Sequence, residues 1–105
     1  MNYDIREYKP ADESSWLRCR VLSFLDTSYY DDVARAKPEI PAPGMELVAV
    51  DQRETVLGIM DISIDGELAT IDTVAVHPDH QHDGIGRSLL LYARSEEHTS
   101  ELQSP

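Results

Sequence analysis

Alternating apolar and polar residues predict four short β-strands, each bounded by turn-forming residues. The predicted strands cover residues 2–8, 45–50, 55–64 and 68–76. Asp65 and Gly66 form a strong tight-turn signal between the last two strands, and the connection after Val50 is also short. The last three strands are therefore expected to pair as an antiparallel sheet.

Helical spacing of apolar residues predicts a helix from Asp12, which is a suitable N-cap, through Leu25. Its apolar residues repeat at helical spacing, at Leu17, Val21 and Leu25. Trp16 and Phe24 are expected to lie in the core, and Cys19 is expected to be an inert packed thiol. A turn and a second short helix are predicted over residues 26–33, followed by a proline-rich extended connector. Together with a helix after the fourth strand, this order indicates a mixed α/β domain.

A strand, a polar loop and a helix follow one another over residues 71–93. Pro78 ends the β-branched strand, and the helix is predicted to begin at Gly84 and Gly86. Free backbone N–H groups at a helix start form a phosphate site when glycines allow a ligand to approach closely. This stretch therefore predicts an anion-binding site.

Two common glycine-rich motifs do not fit this stretch. A dinucleotide-binding fingerprint would need glycine at Leu89, and a Walker loop would need a lysine that is not present. The stretch instead resembles the core motif of the GNAT superfamily of acyl-CoA N-acyltransferases. The residues that carry this resemblance are Val74, Val76, His77, Pro78, Gln81, Gly84 and Gly86. One departure is His82, where the family often has glycine.

The resemblance covers residues 1–93 and implies the first part of the GNAT fold, without the C-terminal strands and helix of that fold. It also implies that acetyl-CoA is a co-substrate and that no metal is needed. In the family, the fourth strand holds the pantetheine arm and the following loop wraps the pyrophosphate. The implied cofactor-binding residues are Val74, Ala75, Val76, Gln81, His82, Asp83, Gly84, Ile85, Gly86 and Arg87. The negative charge of Asp83 should weaken phosphate binding modestly.

The implied reaction is acetyl transfer to a primary amine of a small molecule or peptide. Asp72 is the best-placed carboxylate to accept the amine proton, and Glu67 is a weaker candidate. A surface carboxylate at a strand edge is an alternative role for Asp72. The tyrosines at positions 29 and 30, with nearby aspartates, could hold an amine or could simply begin a solvated helix. The family's thiolate-protonating tyrosine has no counterpart here.

Residues 94–104 resemble the translation of a sequencing-library adapter. On this interpretation residues 1–93 are the native N-terminal part of the domain, and residues 94–105 are a non-native tail. A polar extension of the last helix is the alternative. We expect the 105-residue chain to be an inactive truncated form, and the full-length form to be a possible homodimer.

Composition narrows the remaining function classes. The formal net charge of −11 disfavours binding to nucleic acid or to anionic membranes. A single cysteine, Cys19, excludes an intrachain disulfide and favours a reducing, cytoplasmic location. No apolar run is long enough to predict a membrane span.

Two alternatives to an enzyme stay open. One is a non-catalytic fragment that binds CoA or a protein partner. The other, which is weaker, is a metal-binding module, because imidazole and carboxylate side chains cluster in the loop before the last helix. The residues of that cluster are His77, Asp79, His80, His82 and Asp83.

Overall fold

The computed structural model describes residues 3–24, 44–66, 68–96 and 101–103. The predicted second helix, the proline-rich connector, the two adjacent tyrosines and Glu67 lie outside the described residues. The strands are β1 (Asp4–Glu7), β2 (Gly44–Val50), β3 (Val56–Asp65), β4 (Leu68–Val76) and β5 (Glu101–Gln103). The α-helices are α1 (Glu13–Phe24) and α2 (Ile85–Glu96), and 3₁₀ turns occur at Pro10–Asp12 and Pro78–His80.

The described strands form one sheet in the order β1-β2-β3-β4-β5. The first four pair antiparallel. For β2, β3 and β4 this confirms the pairing that their short turns predict. The structure adds one element that the sequence pattern does not predict. Strand β5 pairs in parallel with the first three residues of β4, from Leu68 to Thr70. The rest of the outer edge of β4 has no partner strand among the described residues.

The sheet carries a hydrophobic cluster on each face, and one of the two described α-helices packs on each. Ile85 and Leu89 of α2 pack on one face, whereas Trp16 and Cys19 of α1 pack on the other. Trp16 and Cys19 are each 1% exposed, so the prediction that they pack in the core is confirmed. Leu17 and Val21 are half-buried, and Leu17 packs against the same cluster.

Gly58 of β3 allows α2 to lie close to the sheet. A Cβ atom at this position would be 2.6 Å from Cγ2 of Ile85 and 3.4 Å from Cδ1 of Leu89. Both of those side chains are fully buried. The start of α2 can therefore approach the sheet only because residue 58 has no side chain.

An ion-pair cluster joins β1 to the start of α1 and to the β2–β3 turn. Arg6 donates two hydrogen bonds to the carboxylate of Asp12, at 2.7 and 2.8 Å, and one to Glu54 at 2.8 Å. Asp12 also accepts a hydrogen bond from the amide of Lys9. The guanidinium lowers the pKa of Asp12, although burial acts in the opposite direction. Among the described residues, no helix is long and apolar enough to cross a membrane.

Candidate functional site

The outer edge of β4 presents backbone hydrogen-bonding groups away from the sheet. The amide of His77 donates to the carbonyl of Leu57 on β3 at 2.8 Å. Because successive residues of a strand point their backbone groups to opposite sides, Val74 and Val76 direct their N–H and C=O groups away from β3. No described strand pairs with these two residues.

A cavity of about 540 Å³ opens beside this edge. One wall is formed by residues 74–76 of β4, and the other by Gln81, Gly84, Gly86 and Arg87. Ser23 near the end of α1 completes the lining. The strand, the loop and the helix start that the sequence predicts as one site therefore meet around one opening.

The start of α2 has the geometry of an anion site. Gly84 has a φ of +78°, which favours glycine, and a Cβ atom built there would meet nothing within 4 Å. The first helical hydrogen bond runs from the amide of Ser88 to the carbonyl of Gly84. The amides just before Ser88 consequently have no partner within the helix. Within the described ranges, the exposed Arg87 guanidinium forms no ion pair, so positive charge and free N–H groups coincide here.

The histidine-rich loop is held by its own hydrogen bonds. Nδ1 of His77 accepts from the amide of Asp79 at 3.1 Å. Nδ1 of His80 lies 3.1 Å from Oδ2 of Asp83, so the Asp83 carboxylate is directed toward an imidazole. Across the described part of the chain, no group of three His, Cys, Asp or Glu side chains is arranged to hold a metal ion. The loop geometry gives the metal-binding alternative no support.

A model of a known protein family matches more than half of the chain. The family model described as an acetyltransferase (GNAT) domain matches residues 43–104. The chain belongs to the GNAT family. No curated protein matches the chain.

Solved structures of GNAT acetyltransferases share the fold. The ribosomal-protein-S18-alanine N-acetyltransferase from Escherichia coli has a TM-score of 0.71 at 17% identity, and the match covers 90% of this chain. An acetyltransferase from Brucella melitensis, solved with acetyl-CoA, has a TM-score of 0.69 at 21% identity over 90% of this chain. An aminoglycoside antibiotic 6′-N-acetyltransferase from Acinetobacter baumannii has a TM-score of 0.70 at 16% identity over 99% of this chain.

The chain spans only part of these GNAT proteins. It covers 59% of the Escherichia coli enzyme, 68% of the Brucella protein and 79% of the Acinetobacter enzyme. The predicted fold class, a mixed α/β domain with the first part of the GNAT arrangement, is confirmed by these matches.

Three of the ten residues that the GNAT motif suggests lie outside the cavity lining. His82 and Asp83 are exposed beside it. The side chain of Ile85 is 1% exposed and packs in the core, so only its backbone is available at the start of α2. These positions can contribute backbone groups or charge but no side-chain contact within the cavity.

The candidate proton acceptor, Asp72, also lies outside the cavity lining. The register between β3 and β4 shifts at this point, because Asp61 pairs with Thr73 whereas Ile62 pairs with Ile71. Asp72 is therefore the extra residue of a β-bulge, which bends a strand and redirects its side chains. Its exposed carboxylate accepts a hydrogen bond from the hydroxyl of Ser63.

Ser23 is the lining residue that the GNAT motif does not include. Its Oγ lies 2.6 Å from the carbonyl oxygen of Cys19 and 2.9 Å from that of Val76. The sequence carries a weak indication of this role, because Ser23 follows Trp16 and Cys19 at helical spacing on the buried face. The neighbouring Cys19 thiol is buried, and burial raises its pKa to about 11, so it is a packing group.

Proposed function

We propose that the protein is an N-acetyltransferase that moves an acetyl group from acetyl-CoA to a primary amine. The observation that carries this proposal is the cavity between the outer edge of β4 and the glycine-rich start of α2. One side of that cavity offers strand-type hydrogen bonds and the other offers an anion site. Coenzyme A needs both, because its pantetheine arm contains amide groups and its nucleotide half carries a pyrophosphate.

The pyrophosphate would lie at the start of α2. Amides of residues 84–87 would donate to its oxygens, and Arg87 would add a positive charge. Gln81 lines the approach to this site. His82 and Asp83 would flank the phosphates, and the contact of Asp83 with His80 reduces the repulsion that its carboxylate would otherwise cause.

The pantetheine arm would lie along residues 74–76, because the outward N–H and C=O groups of Val74 and Val76 can pair with its amides. A backbone N–H on this strand would polarise the thioester carbonyl. The amine nitrogen would then bond to the acetyl carbon while the carbon–sulfur bond breaks. Asp72 would accept the proton that the amine loses, with Ser63 orienting its carboxylate.

Several finer assignments belong to the same proposal. The acceptor is a small-molecule or peptide amine, and a homodimer is a possible assembly of the full-length form. A reducing, cytoplasmic location agrees with the buried free thiol of Cys19. We assign residues 1–93 to the acetyltransferase domain and residues 94–105 to a non-native tail on the adapter resemblance. The family match extends to residue 104, so resequencing the gene across this junction tests the assignment.

Equilibrium dialysis with acetyl-CoA and with zinc tests the proposed function. We expect acetyl-CoA to bind and zinc not to bind specifically. Gly84→Asp and Gly86→Asp should each weaken acetyl-CoA binding at least about tenfold, because each adds a negative charge beside the phosphate oxygens.

Gly66→Asp is the matched control for Gly84→Asp. Gly66 also has a positive φ, of +64°, with open space at its Cβ position, but it lies in the β3–β4 turn. Both variants therefore carry the same backbone strain and the same added charge. Equal acetyl-CoA affinities in the parent and both cavity variants would refute the phosphate site, and zinc binding in place of acetyl-CoA would favour the metal-binding alternative.

A further inference from the structure

The peptide unit between Val76 and His77 is held from two sides. Its N–H group donates to the carbonyl of Leu57 on β3 at 2.8 Å. Its carbonyl, which points away from β3, lies 2.9 Å from the hydroxyl of Ser23 on α1. The end of β4 is thus tied both to its neighbouring strand and to a helix on one face of the sheet.

Ser23 changes which groups of β4 are available inside the cavity. Val74 and Val76 present two N–H groups and two C=O groups outward. The single hydroxyl proton of Ser23 is shared between two carbonyl oxygens, that of Cys19 at 2.6 Å and that of Val76 at 2.9 Å, and its donation to Val76 occupies that carbonyl. The two adjacent outward groups that stay available to a ligand are the carbonyl of Val74 and the N–H of Val76. In a parallel strand pairing, the first of these groups accepts from an N–H of the neighbouring chain and the second donates to the carbonyl of its next amide.

We propose that Ser23 is a positioning residue that sets where the pantetheine arm lies along β4. This inference rests on the proposed function, because it takes coenzyme A as the ligand. By occupying the Val76 carbonyl, the hydroxyl directs the N–H of one amide of the arm to the Val74 carbonyl and the carbonyl of the other amide to the Val76 N–H. The arm therefore has one register on the strand, which fixes the depth of the thioester in the cavity.

The contribution of Ser23 depends on whether the cavity is filled. Without ligand, water can reach the Val76 carbonyl and can replace a missing hydroxyl at little cost. A bound arm would cover that carbonyl and exclude water, so without Ser23 it would be left buried with no donor. A buried acceptor without a partner is costly, and that cost would reduce ligand affinity.

The test compares two ligands on Ser23→Ala in the 105-residue chain. Coenzyme A carries the pantetheine arm, whereas ADP has a pyrophosphate but no arm. We expect Ser23→Ala to weaken coenzyme A binding by about fivefold or more and to leave ADP affinity within about twofold. Calorimetric titration measures both affinities, and a thermal melt measures the stability of each variant.

Ser15→Ala is the matched control. Ser15 lies on the same helix, and its hydroxyl accepts a hydrogen bond from the amide of Val56 at 2.8 Å. It therefore also joins α1 to the backbone of the sheet, but it does not line the cavity. Its replacement should change stability without changing the ratio of coenzyme A affinity to ADP affinity.

The possible outcomes separate this inference from the proposed function. Unchanged or tighter coenzyme A binding by Ser23→Ala would overturn the inference, since the arm would then use the Val76 carbonyl itself. Equal weakening of both ligands would also overturn it, because it would indicate a structural role. A parent chain that binds neither ligand would refute the proposed function instead.

Discussion

The β1 side of the sheet and the part of β4 beyond its pairing with β5 differ in how their polar groups are paired. At the β1 edge, Arg6, Asp12 and Glu54 pair with one another at 2.7–2.8 Å. At the β4 edge, outward backbone groups of Val74 and Val76 face a cavity, and no described strand pairs with them. The Arg6 cluster, called the closed edge below, pairs its charged side chains within the chain. The outward backbone groups of Val74 and Val76, called the open edge below, are the groups that the proposed function assigns to a ligand.

The same contrast explains two residues in the left-handed region of backbone space. Glu54 has a φ of +62°, which is unfavourable for a residue with a side chain. Its carboxylate bonds to Arg6 at the closed edge, and this contact offsets part of the strain. Gly84 has a φ of +78° at the open edge, where the absence of a side chain leaves room for a ligand.

The largest expected effect comes from breaking the closed edge. Asp12→Ala should lower the free energy of unfolding by about 2–4 kcal/mol, because Arg6 would lose its two-bond partner in a largely buried setting. Coenzyme A affinity should not change, since the cluster lies outside the cavity lining. Urea unfolding at neutral pH measures the first quantity and calorimetric titration the second.

The lowered pKa of Asp12 gives this prediction a pH dependence. A carboxyl group with a lower pKa in the folded state adds stability above its unfolded pKa, which is about 4, and loses it as pH falls through the folded pKa. The gap between parent and Asp12→Ala should therefore narrow below about pH 4. Glu54→Gly is the control, since it removes a 59%-exposed carboxylate and relieves the positive φ, so stability should stay within about 1 kcal/mol. A gap that widens in acid would contradict the assignment.

A smaller effect is expected at the open edge. If Asp72 accepts the amine proton, Asp72→Asn in the full-length form should lower the rate of acetyl transfer roughly a hundredfold below the amine pKa, with acetyl-CoA affinity unchanged. The measurement is a pH–rate profile with a panel of primary amines. Ser63→Ala is the comparison variant, because it keeps the carboxylate and removes only its hydrogen bond. An Asp72→Asn rate within about twofold of the parent would show that another group takes the proton.

The sequence predicts the open edge better than it predicts the closed edge. The strand pattern, Pro78 and the two glycines of the loop are local signals, and they locate β4 and the start of α2 within a residue. The pairing of Arg6 with Glu54 joins residues 48 positions apart, and no local pattern encodes such a contact. The contact of Ser23 with Val76 is not predicted for the same reason, because the two residues are 53 positions apart. Short-range chemistry can be predicted from this sequence, whereas side chains that meet through the fold cannot.

The smallest predicted effect tests whether the core supports the open edge. Gly58→Ala places a methyl group 2.6 Å from Cγ2 of Ile85, so the start of α2 must move or Ile85 must change its rotamer. Overpacking of this kind costs about 1–3 kcal/mol. Because Ile85 begins the helix whose amides form the phosphate site, coenzyme A affinity should fall together with stability. Gly86→Ala is the control for stability, since its new methyl would lie 3.8 Å from Val76 Cγ2, an ordinary contact.

A second substitution separates helix displacement from a general loss of packing. Leucine at position 85 has no methyl group on Cβ, so the double variant Gly58→Ala/Ile85→Leu removes the atom that clashes while it keeps the side-chain volume. If the position of α2 controls the phosphate site, this double variant should recover most of both the stability and the coenzyme A affinity. Recovery of stability alone would show that the core and the open edge are independent. Full coenzyme A affinity in Gly58→Ala would show that a change of the Ile85 rotamer relieves the clash without moving the helix.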